Sequence, residues 1–184
     1  GQGLVTAYVK VKRAGTFTLT AAPSIGTSAT QMLTVTPAAP VKLAFTNNPL
    51  AILTTQTCSS GTLALQLQDP FDNAATLASP FQVAMSTVGP SPLQFYPGSD
   101  TVCTTTAATT FTIPANVSGI TLRVASLMMP GMNTVTATPT LATPPLTPAS
   151  QTLFVSAGAA THYTWSGTAQ SPLAGTCSAN PLTI

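Results

Sequence analysis

The side chains that most enzymes use for proton transfer, nucleophilic attack or metal binding are few in this chain. They are three cysteines (Cys58, Cys103, Cys177), one histidine (His162) and three carboxylates (Asp69, Asp72, Asp100), with no glutamate. General acid–base catalysis needs a histidine, or a carboxylate with a tuned pKa, within reach of a substrate. One triad could be counted out of this inventory, but no Gly-x-Ser-x-Gly elbow is present to expose a nucleophilic serine. A glycosidase pair would have to come from the three aspartates, and Asp69 and Asp72 share one turn. Asp69, Asp72 and Asn73 gather oxygen ligands in one loop, which makes them a weak candidate for Ca²⁺. The competing reading is a turn capped by its own Asp and Asn side chains. Zinc is not expected, because no Cys-x-x-Cys exists and His162 stands alone. Asn116-Val117-Ser118 is an acceptor triplet for N-glycosylation. No catalytic residue and no cofactor are expected, and the chain does not read as an enzyme.

The elements that position these residues follow from composition and periodicity. Charged residues are 4% of the 184, against a usual share of about 25%. Threonine takes their place at about a fifth of the chain, and its β-branching favours strands over helix. Seventeen prolines and twelve glycines punctuate the sequence with turns. Apolar residues alternate with polar ones at Phe17/Leu19, Leu63/Leu65/Leu67, Phe81/Val83/Met85, Phe111/Ile113 and Ile120/Leu122/Val124. Turn signals separate them at Asn47-Asn48-Pro49, Asp69-Pro70-Phe71-Asp72-Asn73, Gly89-Pro90, Pro97-Gly98 and Pro130-Gly131. Short alternating strands between such turns predict an all-β sandwich of antiparallel sheets with essentially no helix.

Charge excludes some partners. The five bases (Lys10, Lys12, Arg13, Lys42, Arg123) give a net charge of only +2, and no aromatic-rich basic face appears, so nucleic acid is not expected. No apolar run approaches the roughly 20 residues of a membrane helix. So little charge suits a chain that is anchored, glycosylated or built into a fibre better than one that diffuses freely. An extracellular or cell-surface setting is therefore expected. No signal peptide is visible at Gly1, which fits a processed chain or a window of a longer one.

The sequence also repeats itself. Leu33-Thr34-Val35 aligns with Leu153-Phe154-Val155, an offset of 120 that carries Lys42-Leu43-Ala44-Phe45 onto His162-Tyr163-Thr164-Trp165. Downstream, Thr57-Cys58-Ser59 matches Thr176-Cys177-Ser178, and upstream Ala14-Gly15-Thr16-Phe17 matches Pro130-Gly131-Met132-Asn133. On this alignment residues 1–36 are the last strands of one unit, 37–155 a complete unit and 156–184 the first strands of a third. His162 then takes the outward position of Lys42, as a surface histidine.

Three segments resemble the immunoglobulin-like repeats of bacterial surface adhesins of the invasin and intimin kind, and related filamin-like arrays. Residues 14–21 are similar to a late strand of those repeats, and Pro40-Val41-Lys42-Leu43-Ala44-Phe45 to their opening strand. Gln68-Asp69-Pro70-Phe71-Asp72-Asn73 looks like their Asp-x-x-Gly-Asn turn, with Asp72 in place of glycine. The resemblance implies a stalk, adhesin or filament with no catalytic residues. Its partners would be neighbouring repeats or identical subunits, and a host-surface or matrix ligand. Cys58 and Cys103 fall in the complete unit and are expected to form a disulfide in an oxidising compartment; two buried free thiols are the alternative. Cys177 is then the counterpart of Cys58 with its partner downstream, or else an unpaired or intermolecular thiol. Two other functions compete. One is a pilin-like subunit completed by a neighbour's strand. The other is a carbohydrate-binding module, which would need exposed aromatics such as Phe95 or Tyr96.

Overall fold

The structure is a computed structural model that describes residues 6–47, 53–127, 129–141, 143–160, 164, 174–175 and 180. His162, Tyr163, Trp165 and Cys177 lie outside the described residues.

The described chain is all-β. Its first two strands, β1 (Gly15–Ala21) and β2 (Ala29–Val35), form a separate two-stranded hairpin. The remaining strands form a sandwich. One sheet has the order β4-β11-β10-β6-β8, from Leu53–Thr54, Ala149–Ser156, Gly131–Pro139, Phe81–Val88 and Thr110–Ile113. The other has the order β3-β5-β9-β7, from Lys42–Phe45, Leu63–Gln68, Gly119–Ser126 and Leu93–Pro97. From β3 to β10 the chain changes sheet at every connection, so strands that follow one another in sequence rarely pair. Pairing between the named strands is antiparallel except where β11 meets β4, and single parallel bridges join Lys42 to Thr147 and Thr55 to Ser126. Alternation alone does not predict the parallel β4–β11 edge. It arises because the chain crosses after β3 to the far sheet and there runs alongside its last strand.

Alternation decides what is buried. Leu63, Leu65 and Leu67 of β5 face Phe81, Val83 and Met85 of β6 across the layer, joined by Leu122, Val124, Ile113, Val135, Leu153 and Val155 in one core. The residues between them point outward, and on the larger sheet these include Ser86, Thr110, Thr112, Thr134, Thr138, Ser150 and Thr152. A threonine-rich outer face costs little, because hydroxyls are solvated and the β-branched Cβ suits the pleat. β5 and β9 approach so closely at Gly119 that any Cβ there would run into the Leu65 carbonyl oxygen.

The two hairpins share a register. β1 pairs β2 from Gly15↔Val35 to Ala21↔Ala29, and β10 pairs β11 from Gly131↔Val155 to Ala137↔Ala149. Offsets of 116, from Gly15 to Gly131, and 120, from Val35 to Val155, carry one set of pairs onto the other. The hairpins differ in cover. Val135, Leu153 and Val155 are buried, whereas Phe17, Leu19, Leu33 and Val35 are half-buried in a sheet of two strands among the described residues.

Candidate functional site

The aspartates organise two separate loops. The first is the turn after β5. Asp69 is itself buried, and its carboxylate accepts the N–H groups of Phe71 (2.8 Å) and Asn73 (3.0 Å) on one oxygen. The other oxygen accepts the Asn73 amide (2.9 Å) and the Ala38 N–H (3.0 Å). The lone pairs that a cation would use are thus directed at N–H donors. Asp72 takes the left-handed conformation (φ 65°) at the place where the resembling repeats carry glycine, and its carboxylate pairs with Lys42. That ion pair is exposed and contributes no more than about 1 kcal/mol.

Asn73 also reaches beyond its own turn. Its side-chain oxygen accepts the Ala14 N–H at 2.8 Å, and its amide nitrogen donates to the Lys12 carbonyl at 2.8 Å. The Lys12 ammonium lies 5.9 Å from the centre of the Phe71 ring, within cation–π range. One five-residue turn therefore holds the chain where it enters the β1–β2 hairpin, through Asn73, and where it leaves, through Asp69 and Ala38. The sequence marked Asp69, Asp72 and Asn73 as a group but gave no sign of what Asn73 holds, because its partners are main-chain groups 59 and 61 residues away.

The second loop carries a disulfide, Cys58–Cys103, with Cα atoms 5.5 Å apart. Asp100 shapes it by accepting the Thr105 hydroxyl (2.7 Å) and the N–H groups of Thr105 (2.9 Å), Thr104 and Val102. On the other side, the Arg123 guanidinium of β9 donates to the carbonyls of Ser59 (2.8 Å) and Ser60 (2.5 Å). The sequence names Asp100 only as one of three carboxylates and Arg123 only as one of five bases, with no sign of this loop role. An Asp followed by Thr-Val-Cys-Thr-Thr is an Asx-turn signal that could have found the first.

The electrostatics of both loops follow from these bonds. Burial pushes the Asp69 carboxyl up, but the Asn73 amide and the N–H groups of Ala38, Asn73 and Phe71 outweigh it and hold its pKa at about 2. The Thr105 hydroxyl and N–H, with the N–H groups of Thr104 and Val102, bring Asp100 to about 2 against a smaller opposing effect of burial. A depressed carboxyl stabilises the fold above its unfolded pKa, since only below that value does the unfolded chain bind more protons. The melting temperature is therefore expected to be flat from neutral pH down to about pH 5. It should then fall as pH drops from 3.8 through about 2. Scanning calorimetry across that window tests this, and Asp100→Asn should shrink the acid-side slope. An unchanged slope in that variant would show that the Asp100 bonds do not form.

The other marked residues lie apart. Asn116 is exposed at a left-handed turn position (φ 60°), with its N–H bonded to the Leu77 carbonyl, a placement open to a glycan. Phe95 and Tyr96 are buried, so they offer sugars no platform. Among the described residues, the exposed aromatics Tyr8, Phe71 and Phe154 sit on separate elements. A groove of about 480 Å³ runs along the seam between β3 and β11, lined by Leu43, Phe45, Asn47 and Gln151, with no charged pair across it.

No protein-family model and no curated protein match the sequence. Solved structures do. A glycosyl hydrolase family 2 member from Bacteroides cellulosilyticus superposes with a TM-score of 0.50 at 18% identity, covering 78% of this chain and 17% of that one. A β-glucuronidase of glycoside hydrolase family 2 superposes with a TM-score of 0.50 at 17% identity, covering 78% of this chain and 14% of that one. The likeness is one of fold. The chain spans about a sixth of those enzymes' length and resembles β-sandwich structure within them.

Proposed function

We propose that the chain is a non-catalytic segment of an extracellular array of immunoglobulin-like units, serving as a stalk or adhesive filament. Residues 1–36 end one unit, 37–155 make a complete one and 156–184 begin another. The observation that carries this reading is the shared register of the β1–β2 and β10–β11 hairpins. Two hairpins of one register, one on a full core and one half-covered, are what successive units of a tandem array would present. The aspartates support the non-catalytic part. A general acid needs a raised pKa, and Asp69 and Asp100 are both held down by hydrogen bonds that fix loops. The disulfide supports an oxidising compartment.

The intact mass of the protein isolated from its natural source, denatured with and without reductant, tests the reading. A mass far above 18.6 kDa that survives reduction is expected. A mass near 18.6 kDa would overturn it in favour of a self-assembling subunit. The half-covered face of Phe17, Leu19, Leu33 and Val35 supports that second reading, since a neighbour's strands could cover it.

A further inference from the structure

We infer that the Asp69–Asn73 turn is a receptor for the backbone of a preceding unit, and that it accepts only units carrying an N–H just ahead of the hairpin glycine. From the incoming strand Asn73 takes one carbonyl, of Lys12, and one N–H, of Ala14, while its amide also donates to Asp69 within the turn. Its carboxamide thus mimics a peptide group, gripping the incoming strand as a neighbouring strand would. The Lys12 ammonium over Phe71 is a side-chain contact added to this grip, but the bonds of Asn73 to that strand are to main-chain atoms and do not read side chains. Proline is the exception, because it has no N–H to donate.

The unit's own exit end presents that exception. The shared hairpin register places Pro130 before Gly131 where Ala14 stands before Gly15. A following unit with the same turn would find no donor for its asparagine oxygen. The entry junction is therefore clasped and stiff, while the exit junction cannot be held in the same way. By the same offset exposed Met129 stands where the entry end has Arg13, and exposed Met132 where it has Thr16. Units of this kind would follow one another in an order set by which ends carry the donor.

The inference rests on the tandem reading only in calling residues 6–36 the end of another unit. Its test uses the 184-residue chain, whose result does not depend on the mass of the natural protein. Backbone ¹⁵N relaxation reports whether the β1–β2 hairpin and the sandwich move as one body. In the unsubstituted chain the hairpin amides should show order parameters of about 0.85 in the frame of the sandwich. Asn73→Ala and Ala14→Pro should each drop them below about 0.6, whether the hairpin stays paired or frays. Ala14→Ser keeps the N–H and should leave them unchanged. Coupled motion that survives Asn73→Ala overturns the clasp. A loss in Ala14→Ser as large as in Ala14→Pro overturns main-chain recognition. If the clasp holds while the natural mass is that of one chain, the turn is an internal brace and the tandem reading fails separately.

Discussion

Replacing both Cys58 and Cys103 by alanine is expected to lower the stability of the sandwich by about 4 kcal/mol, by the chain-entropy account of a 45-residue loop. For a domain of this size that is a fall in Tm of roughly 15 °C. The double variant is the proper comparison, since a single substitution leaves a reactive thiol. The loops on both sides are fixed without the bond, Cys103's by Asp100 and Cys58's by Arg123. The variant should consequently keep the same fold and the same dependence on denaturant in its native baseline, and lose stability through its unfolded state. Urea unfolding of the oxidised protein, the reduced protein and the double variant checks this. The last two should agree with each other. A difference from the oxidised protein under about 1 kcal/mol would mean that the bridge does not constrain the unfolded chain.

Arg123→Ala separates the loop's two supports. It removes donors from the carbonyls of Ser59 and Ser60 but leaves the covalent link. Hydrogen bonds to a charged group are worth about 1.5–3 kcal/mol, and with Ser59 buried but Ser60 exposed the loss should fall within that range. Thermal melts of the variant should show a smaller shift than loss of the disulfide.

How much of this could be read from sequence depends on the range of each interaction. Period-2 alternation is local, so the inward Leu63, Leu65, Leu67, Phe81, Val83, Met85, Leu122 and Val124 were legible, and with them the all-β sandwich. Pairing was not, because the chain changes sheet at nearly every connection and strand neighbours lie far apart in sequence. The parallel β4–β11 edge belongs to that class, since Leu53 and Val155 meet across the whole unit. Buried Asn133 escaped for another reason. It stands in the alternation where β1 has Phe17, and its oxygen instead accepts the Ser91 N–H of a crossing loop. The Asp69–Asn73 turn was half legible. Its own caps are local, but its hold on Lys12, Ala14 and Ala38 depends on how the hairpin returns to it.

The largest contrast is expected between two leucines of the same register position. Leu153 pairs with Asn133 in β10–β11 and is 1% exposed; Leu33 pairs with Phe17 in β1–β2 and is half-buried. Leu153→Ala removes a side chain from a packed core that can close only partly around the gap, at a cost of about 2–5 kcal/mol. Leu33→Ala removes the same atoms from a face that has no opposing sheet among the described residues. In the 184-residue chain it should therefore leave the main unfolding transition within about 0.5 kcal/mol. In a polypeptide that also carries the strands of a preceding unit, the same substitution should cost about 2–5 kcal/mol, in a second transition belonging to that unit. Denaturant unfolding of both variants in both lengths of chain measures the four values. A cost for Leu33→Ala that stays small in the longer chain would mean that β1–β2 is not the end of a second core, and the tandem reading would lose its structural support. A cost that is already large in the shorter chain would mean that the hairpin face is covered within one chain or by a second copy, and raising the protein concentration would then separate those two by whether the transition moves.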